Sequence, residues 1–376
     1  RIGVTLLWLS GAFTLGVSIV AATGGGSLDL AGVRLSMHSV LRPLVAALGC
    51  GACAVVALRP QGVARALDRV ERALPSIAWP LAAGFAVVIG LATYAGGAHV
   101  AGGADSSGYL SEARLWGEAG LGGIMRLQSE TPLAHDLHLA NGQYPFTPIG
   151  FQPAGEGTIV PGYPPGLPLH FAAASAMLGE RLQYVVVPLC AAGVIVVAFF
   201  IGRRLGGAEA GLVAAAAAGA SPILIYQAAQ PMSDVVAAFW WSLGVLLLLR
   251  KSAALSGWAG VAFSIASIVR PNLFAMTPIV LVLAWWWQGQ DARRLVRIGV
   301  ACMPIGIAAS WFAYLQHTLY GGAATTGYGE VSSLFALSNV LPNVSRYARW
   351  AVFTQSALLV AALASPLAIR LGWITP

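Results

Sequence analysis

Asp105 opens a run whose residue types recur at helical spacing: Asp105-Ser106-Ser107-Gly108-Tyr109-Leu110-Ser111-Glu112-Ala113-Arg114-Leu115-Trp116. Tyr109, Glu112, Ala113 and Trp116 stand three or four apart, so one side of such a helix mixes aromatic rings with a carboxylate. Gly102 and Gly103 come just before and let the backbone turn sharply. Asp105 itself reads in two ways, as a helix cap alongside Ser106 or Ser107, or as a carboxylate available for proton transfer.

Four further groups have the types and the punctuation of a polar site. Pro161-Gly162-Tyr163-Pro164-Pro165-Gly166-Leu167-Pro168 fixes an extended approach and then starts a helix with Pro in its first turn. Ser221-Pro222 ends one apolar run, and Met232-Ser233-Asp234 opens the next, where Asp234 either caps the helix or faces a polar cavity. Arg270-Pro271-Asn272 interrupts an apolar hairpin, a place where a guanidinium needs a partner or a function. Thr325-Thr326-Gly327-Tyr328-Gly329-Glu330 comes last.

Two other patterns carry less. His135-Asp136-Leu137-His138 has metal-ligand spacing for a helix, but Pro132 and Asn141-Gly142 flank it and favour a solvated loop, so no metal is assigned. Cys50, Cys53, Cys190 and Cys302 all lie inside apolar stretches and read as small packing residues.

The elements that position these groups follow from composition. Of 376 residues, 57% are hydrophobic and only 9% charged, against about a quarter charged in a soluble domain. Mean hydropathy is +0.75. This excludes a soluble enzyme, a disordered chain and a disulfide scaffold, and leaves an all-α polytopic membrane protein. The net charge of +7 does not signal nucleic acid, because the arginines are scattered singly or in pairs between apolar runs. Apolar stretches long enough to cross, roughly 20 residues each, are expected near 3–22, 38–58, 77–95, 184–202, 208–226, 233–249, 253–269, 273–287, 296–316 and 348–369, about ten in all.

Arg59, Arg65, Arg69, Arg72, Arg203, Arg204, Arg250, Lys251, Arg293 and Arg294 then share one set of loops, which the positive-inside rule makes cytoplasmic. Residues 59–76 place Val63, Leu67, Val70 and Leu74 on one face and read as a helix on the cytoplasmic headgroups, closing an N-terminal unit 1–76. The rest, 77–376, holds a long outer segment, 96–183, in which the short apolar piece 165–178 reads as a juxtamembrane helix.

With order and placement combined, the set Asp-x-x-x-Tyr, Tyr-Pro-Pro-Gly, Ser-Pro then Met-Ser-Asp, Arg-Pro-Asn and Thr-Gly-Tyr-Gly resembles membrane glycosyltransferases of the C superfamily (GT-C). More narrowly, it resembles bacterial relatives of protein mannosyltransferases and lipid A aminoarabinose transferases, over about residues 77–350. The resemblance implies an inverting transfer of a sugar from a polyprenyl-phosphate carrier to an acceptor hydroxyl or amine on a glycan, lipid or protein. It implies the outer face of the bacterial cytoplasmic membrane as the location, and no cofactor. Asp105 would be the general base, and Tyr109, Glu112, Tyr163, Asp234, Arg270, Tyr328 and Arg346 would bind substrate or donor. Arg270, with Arg346 and Arg349 next, would meet the phosphate. Ser106 stands where many protein mannosyltransferases have a second acidic residue. Relatives also continue past the tenth span, so a shortened C-terminus is expected here. A transporter or flippase of lipid-linked sugars is the alternative, but it calls for ionisable residues in mid-span, which these stretches almost lack.

Overall fold

The computed structural model describes residues 11, 26–30, 33–37, 41–119, 127–128, 149–154, 158–287, 289, 291–330 and 336–355. The stretch 3–22 (but for residue 11), the His135–His138 group and the end of 348–369 lie outside them. The protein is mostly helical, and its apolar helices make it a membrane protein. Among the described residues three segments are long and apolar enough to cross a bilayer: Arg72–Ala95, Glu180–Gly219 and Arg294–Tyr320. A fourth arises if the bent pair Pro222–Ala228 and Ser233–Leu248 counts as one. Of the other expected spans, 253–269 and 273–287 are shorter apolar helices, so ten crossings are not established.

The described residues form two compact units. In the first, β1 (Gly26–Leu30) pairs antiparallel with β2 (Val33–Met37). The 55-residue helix α1 (Leu41–Ala95) follows. Residues 59–76, expected as a separate surface helix, run within this one helix into 77–95. Helix α4 (Val186–Gly219) contains two non-helical residues, Gly206 and Gly207, the latter at φ 84°. Added Cβ atoms would meet Phe199 O at 2.9 Å from Gly211 and Ile195 Cδ1 at 3.0 Å from Gly219. Residues so far apart along one straight helix could not touch. The chain therefore reverses at Gly206–Gly207, and the expected spans 184–202 and 208–226 are the two limbs of a hairpin that ends early, at Gly219.

Lipid is as apolar as these side chains, so close packing rather than escape from water holds such helices together, and small residues permit it. Gly90 lies against Ala192, where a Cβ would come within 3.2 Å, and Trp79 stacks beside Phe200 with centroids 4.9 Å apart.

The second unit begins with α2 (Ala104–Ala119), then β3 (Leu127–Gln128), β4 (Phe151–Ala154) and β5 (Thr158–Pro161), in sheet order β3-β5-β4. These strands were not expected in an all-α chain. Next comes α3 (Gly166–Leu178), the helix expected at 165–178. After α5 (Pro222–Ala228), helices α6 (Ser233–Leu248), α7 (Ala253–Val269) and α8 (Leu273–Trp287) match the expected stretches to within one residue. They are 16, 17 and 15 residues long, which reaches only about 22–26 Å.

Helix α9 (Arg294–Tyr320) begins and ends a few residues beyond the expected 296–316. The hairpin β6 (Thr325–Thr326) and β7 (Gly329–Glu330) precedes α10 (Val340–Gln355), which starts eight residues before the expected 348. Phe263, fully buried, centres a cluster with Leu248, Ala259, Ala284 and Ala301. A Cβ on Gly244 would sit 2.7 Å from the Phe263 ring, and one on Gly260 would collide with the Ala301 carbonyl. Arg297 is 5% exposed, and it donates to Lys251 O at 2.8 Å and to Asp291 at 2.5 Å, which ties two chain reversals together.

Candidate functional site

The start of α2 is folded by Ser106, whose Oγ accepts from Gly102 N–H at 3.0 Å and donates to Gly103 O at 3.2 Å. The helix begins at Ala104, so Asp105 lies in the first turn, where the free N–H groups favour an anion. Its Oδ1 accepts a hydrogen bond from Tyr163 OH at 2.7 Å, 58 residues away in sequence. Of the two readings of Asp105, then, the carboxylate is occupied by a distant tyrosine, and Ser106 does the local folding.

Close backbone approaches bring the other groups in. Gly162 N–H bonds Gly150 O at 2.8 Å at the end of β5. A Cβ on Gly108 would run into the Tyr163 ring and come within 3.0 Å of Gly150 Cα. Gly150 has φ +89°, a conformation that favours glycine. Gly166, the first residue of α3, touches the backbone of Val269 at the end of α7, and Gly327 touches the Gly162 carbonyl. The hairpin that carries Tyr328 is closed by Thr326, whose Oγ1 donates to Gly329 O at 2.8 Å and accepts from Tyr328 N–H at 3.1 Å. The rings of Tyr109 and Tyr163 stand 5.0 Å apart, and those of Tyr163 and Tyr328 5.9 Å apart, edge to face.

These groups line one cavity of about 320 Å³. Asp105, Tyr109, Glu112, Tyr163, Arg270 and Tyr328, all singled out in the sequence, are on its wall. Asp234 is not on the wall but pairs with Arg270 at 2.6 Å. Arg346 is exposed on α10 and does not line the cavity. The sequence reading missed the contribution of α9: Phe312, Leu315, Gln316, Leu319 and Tyr320 form its floor. Gln316 was the available signal, since an amide within an otherwise apolar span marks a face that is not toward lipid. Tyr320 OH donates to Pro161 O at 2.6 Å and so anchors that floor to the Tyr163 segment.

Electrostatics separate donors from acceptors. Burial raises the Tyr163 phenol, and Asp105 raises it further, so it remains a hydrogen-bond donor. Tyr328 is pushed up to about 12, first by burial and then by Tyr109 and Asp105. Tyr109 is also raised, mainly by burial, although its bond with Ser233 Oγ at 3.2 Å works the other way. Glu112 is only 1% exposed, and burial lifts its carboxyl to about 8 despite the Trp116 N–H, which donates to Oε1 at 3.1 Å.

His170 on α3 is held below its ordinary value by burial. Its Nδ1 meets Gly166 O at 2.6 Å, and its Nε2 accepts from Trp240 at 2.9 Å. Among the described residues no three His, Cys, Asp or Glu gather as metal ligands would. Arg270 caps α7 in an extended conformation, with its N–H bonded to Ala266 O at 2.8 Å. Its Nε is buried and has no partner among the described residues.

The arrangement thus offers a carboxylate held by one phenol, three neutral phenols, a guanidinium with a spare donor, and an apolar floor. No family model, curated protein or solved structure matches the chain.

Proposed function

We propose that this protein is an inverting glycosyltransferase that takes a sugar from a polyprenyl-phosphate carrier and passes it to an acceptor at the outer face of the bacterial cytoplasmic membrane. One observation carries the reading: Asp105, Tyr163, Arg270 and Tyr328, from four separate segments, line a single cavity. Its volume suits a small ligand, and Phe312, Leu315 and Leu319 make its floor mostly apolar, as a lipid-linked substrate requires.

In this reading the acceptor O–H or N–H attacks the anomeric carbon from the side opposite the phosphate. The carbon–oxygen bond to the phosphate breaks, the electron pair leaves with the polyprenyl phosphate, and the acceptor's proton passes to Asp105 Oδ2. Tyr163 keeps Oδ1 occupied and so aims the second oxygen. A carboxylate is a weak base at neutral pH, and its help comes as the acceptor loses its proton in the transition state. Arg270 meets the charge that develops on the phosphate, because a planar guanidinium can bond two oxygens at once. Asp234 holds Arg270 in place by their ion pair.

Two experiments bear on this. Purified protein in lipid is incubated with a panel of polyprenyl-phosphate sugars, and donor consumption is followed; one donor should be consumed, and consumption of none would refute the reading. Arg270 is tested by substitution. The ion pair is more than a third exposed on both sides, and such pairs contribute about 0–1 kcal/mol, so Arg270→Lys should melt as the wild type does. It should raise the KM for the donor by about tenfold, since a charged hydrogen bond is worth roughly 1.5–3 kcal/mol. An unchanged KM would reduce Arg270 to the partner of Asp234.

A further inference from the structure

Glu112 is a buried acid that the transfer step leaves unused. Oε1 accepts from Trp116, the one partner of the carboxyl among the described residues, and Oε2 is buried without any. An isolated carboxylate in such surroundings costs far more than a neutral acid does. Yet the residue lines the cavity, as do Tyr320 and Gln316 of α9. A buried group with an unmet hydrogen bond on a cavity wall is completed by what enters the cavity.

We propose that Glu112 selects the substrate here by donating a hydrogen bond from a protonated Oε2 to an oxygen of an uncharged, hydroxyl-bearing sugar. This rests on the glycosyltransferase reading of the same cavity. The opposite chemistry, a carboxylate pairing with the ammonium of an amino sugar, would need the ionised form in a wall whose one cation among the described residues, Arg270, is paired with Asp234. Asp105, Tyr109, Tyr163, Arg270, Tyr320 and Tyr328 are the titratable groups around the same cavity, and α3 adds His170. Tyr109, Tyr163 and Tyr328 are raised and His170 is lowered. Glu112, at about 8, therefore titrates between pH 7 and pH 9 without them.

The test uses the full protein in lipid with two probes, an undecaprenyl-phosphate-linked hexose and its amino-hexose counterpart. Binding is measured at pH 7 and pH 9, and the protonated-carboxyl C=O band is recorded by infrared difference spectroscopy. The wild type should bind the hexose at pH 7 and lose about tenfold in affinity by pH 9, as the protonated fraction falls. Glu112→Gln should bind it at pH 7 to within about threefold and show no such loss, because its amide keeps an acceptor for Trp116 and offers N–H groups to the cavity. The band should be present in the wild type at pH 7 and missing in Glu112→Gln. A wild type that prefers the amino-hexose, and loses it on Glu112→Gln, would overturn the proposal. Hexose binding without the band would remove Glu112 alone and leave the glycosyltransferase reading standing. Binding of neither probe, with no donor consumed in the panel, would remove both.

Discussion

Asp105→Asn should leave a folded protein whose turnover is down by about 10²–10⁴-fold, the usual contribution of a positioned base. The amide has the shape of the carboxylate, and its oxygen can still accept from Tyr163 OH, which now bonds Oδ1 at 2.7 Å. The loss of charge in the first turn of α2 costs about 0.3–1 kcal/mol, too little to unfold the chain. The check is kcat on the donor identified in the panel, beside a melting curve. Near-normal kcat in a well-folded Asp105→Asn protein would leave Asp105 as no more than a hydrogen-bond partner for Tyr163.

Gly327→Ala should be almost as damaging, although residue 327 contributes no side chain. Its Cβ would overlap the Gly162 carbonyl, and neither side can easily give way. Gly162 is held by its bond to Gly150 O, and Tyr163 next to it is wedged between Tyr109 and Tyr328. The 325–330 hairpin must therefore lift and take Tyr328 with it. A misplacement of about 1 Å in a positioned site costs roughly 10²-fold in rate, so turnover should fall by about that much with helix content unchanged. Gly306→Ala, in α9 with nothing near its Cβ, is the matched control and should be silent. Equal activity in the two variants would mean that the hairpin does not take part.

Much of this site can be read from the sequence, because polar residues in an apolar chain stand out. Tyr163, Arg270 and Tyr328 each sit beside Gly or Pro and Asp105 comes two residues after Gly103, and those residues mark where the chain leaves one helix and starts the next. The bounds of α6, α7 and α8 follow from the same punctuation, with Arg250-Lys251 and Arg270-Pro271-Asn272 between them.

Where the sequence misled, the physical causes are specific. Arg346 looks like a phosphate ligand by type and distance along the chain, yet it sits exposed on α10, since charge says nothing of which way a surface helix faces. The floor made by Phe312, Leu315 and Leu319 was illegible for another reason. Both faces of a helix in lipid can be apolar, so hydrophobicity does not tell the packed face from the lipid face. Residues 59–76 carry an amphipathic pattern but continue in the helix of 77–95, because a periodic face sets which side is polar and not where a helix ends. Glu112 was visible as a carboxylate among aromatics, but only the structure shows it buried, with one partner and one open oxygen among the described residues.

The stereochemistry of the product tests the central claim most directly. With the donor found in the panel and an acceptor supplied, magnetic resonance of the transferred sugar should show an anomeric configuration opposite to that of the donor. Free polyprenyl phosphate should be released one for one with it. Retained configuration would contradict direct attack assisted by Asp105, and a donor carried across the bilayer with its sugar still attached would make the protein a transporter instead.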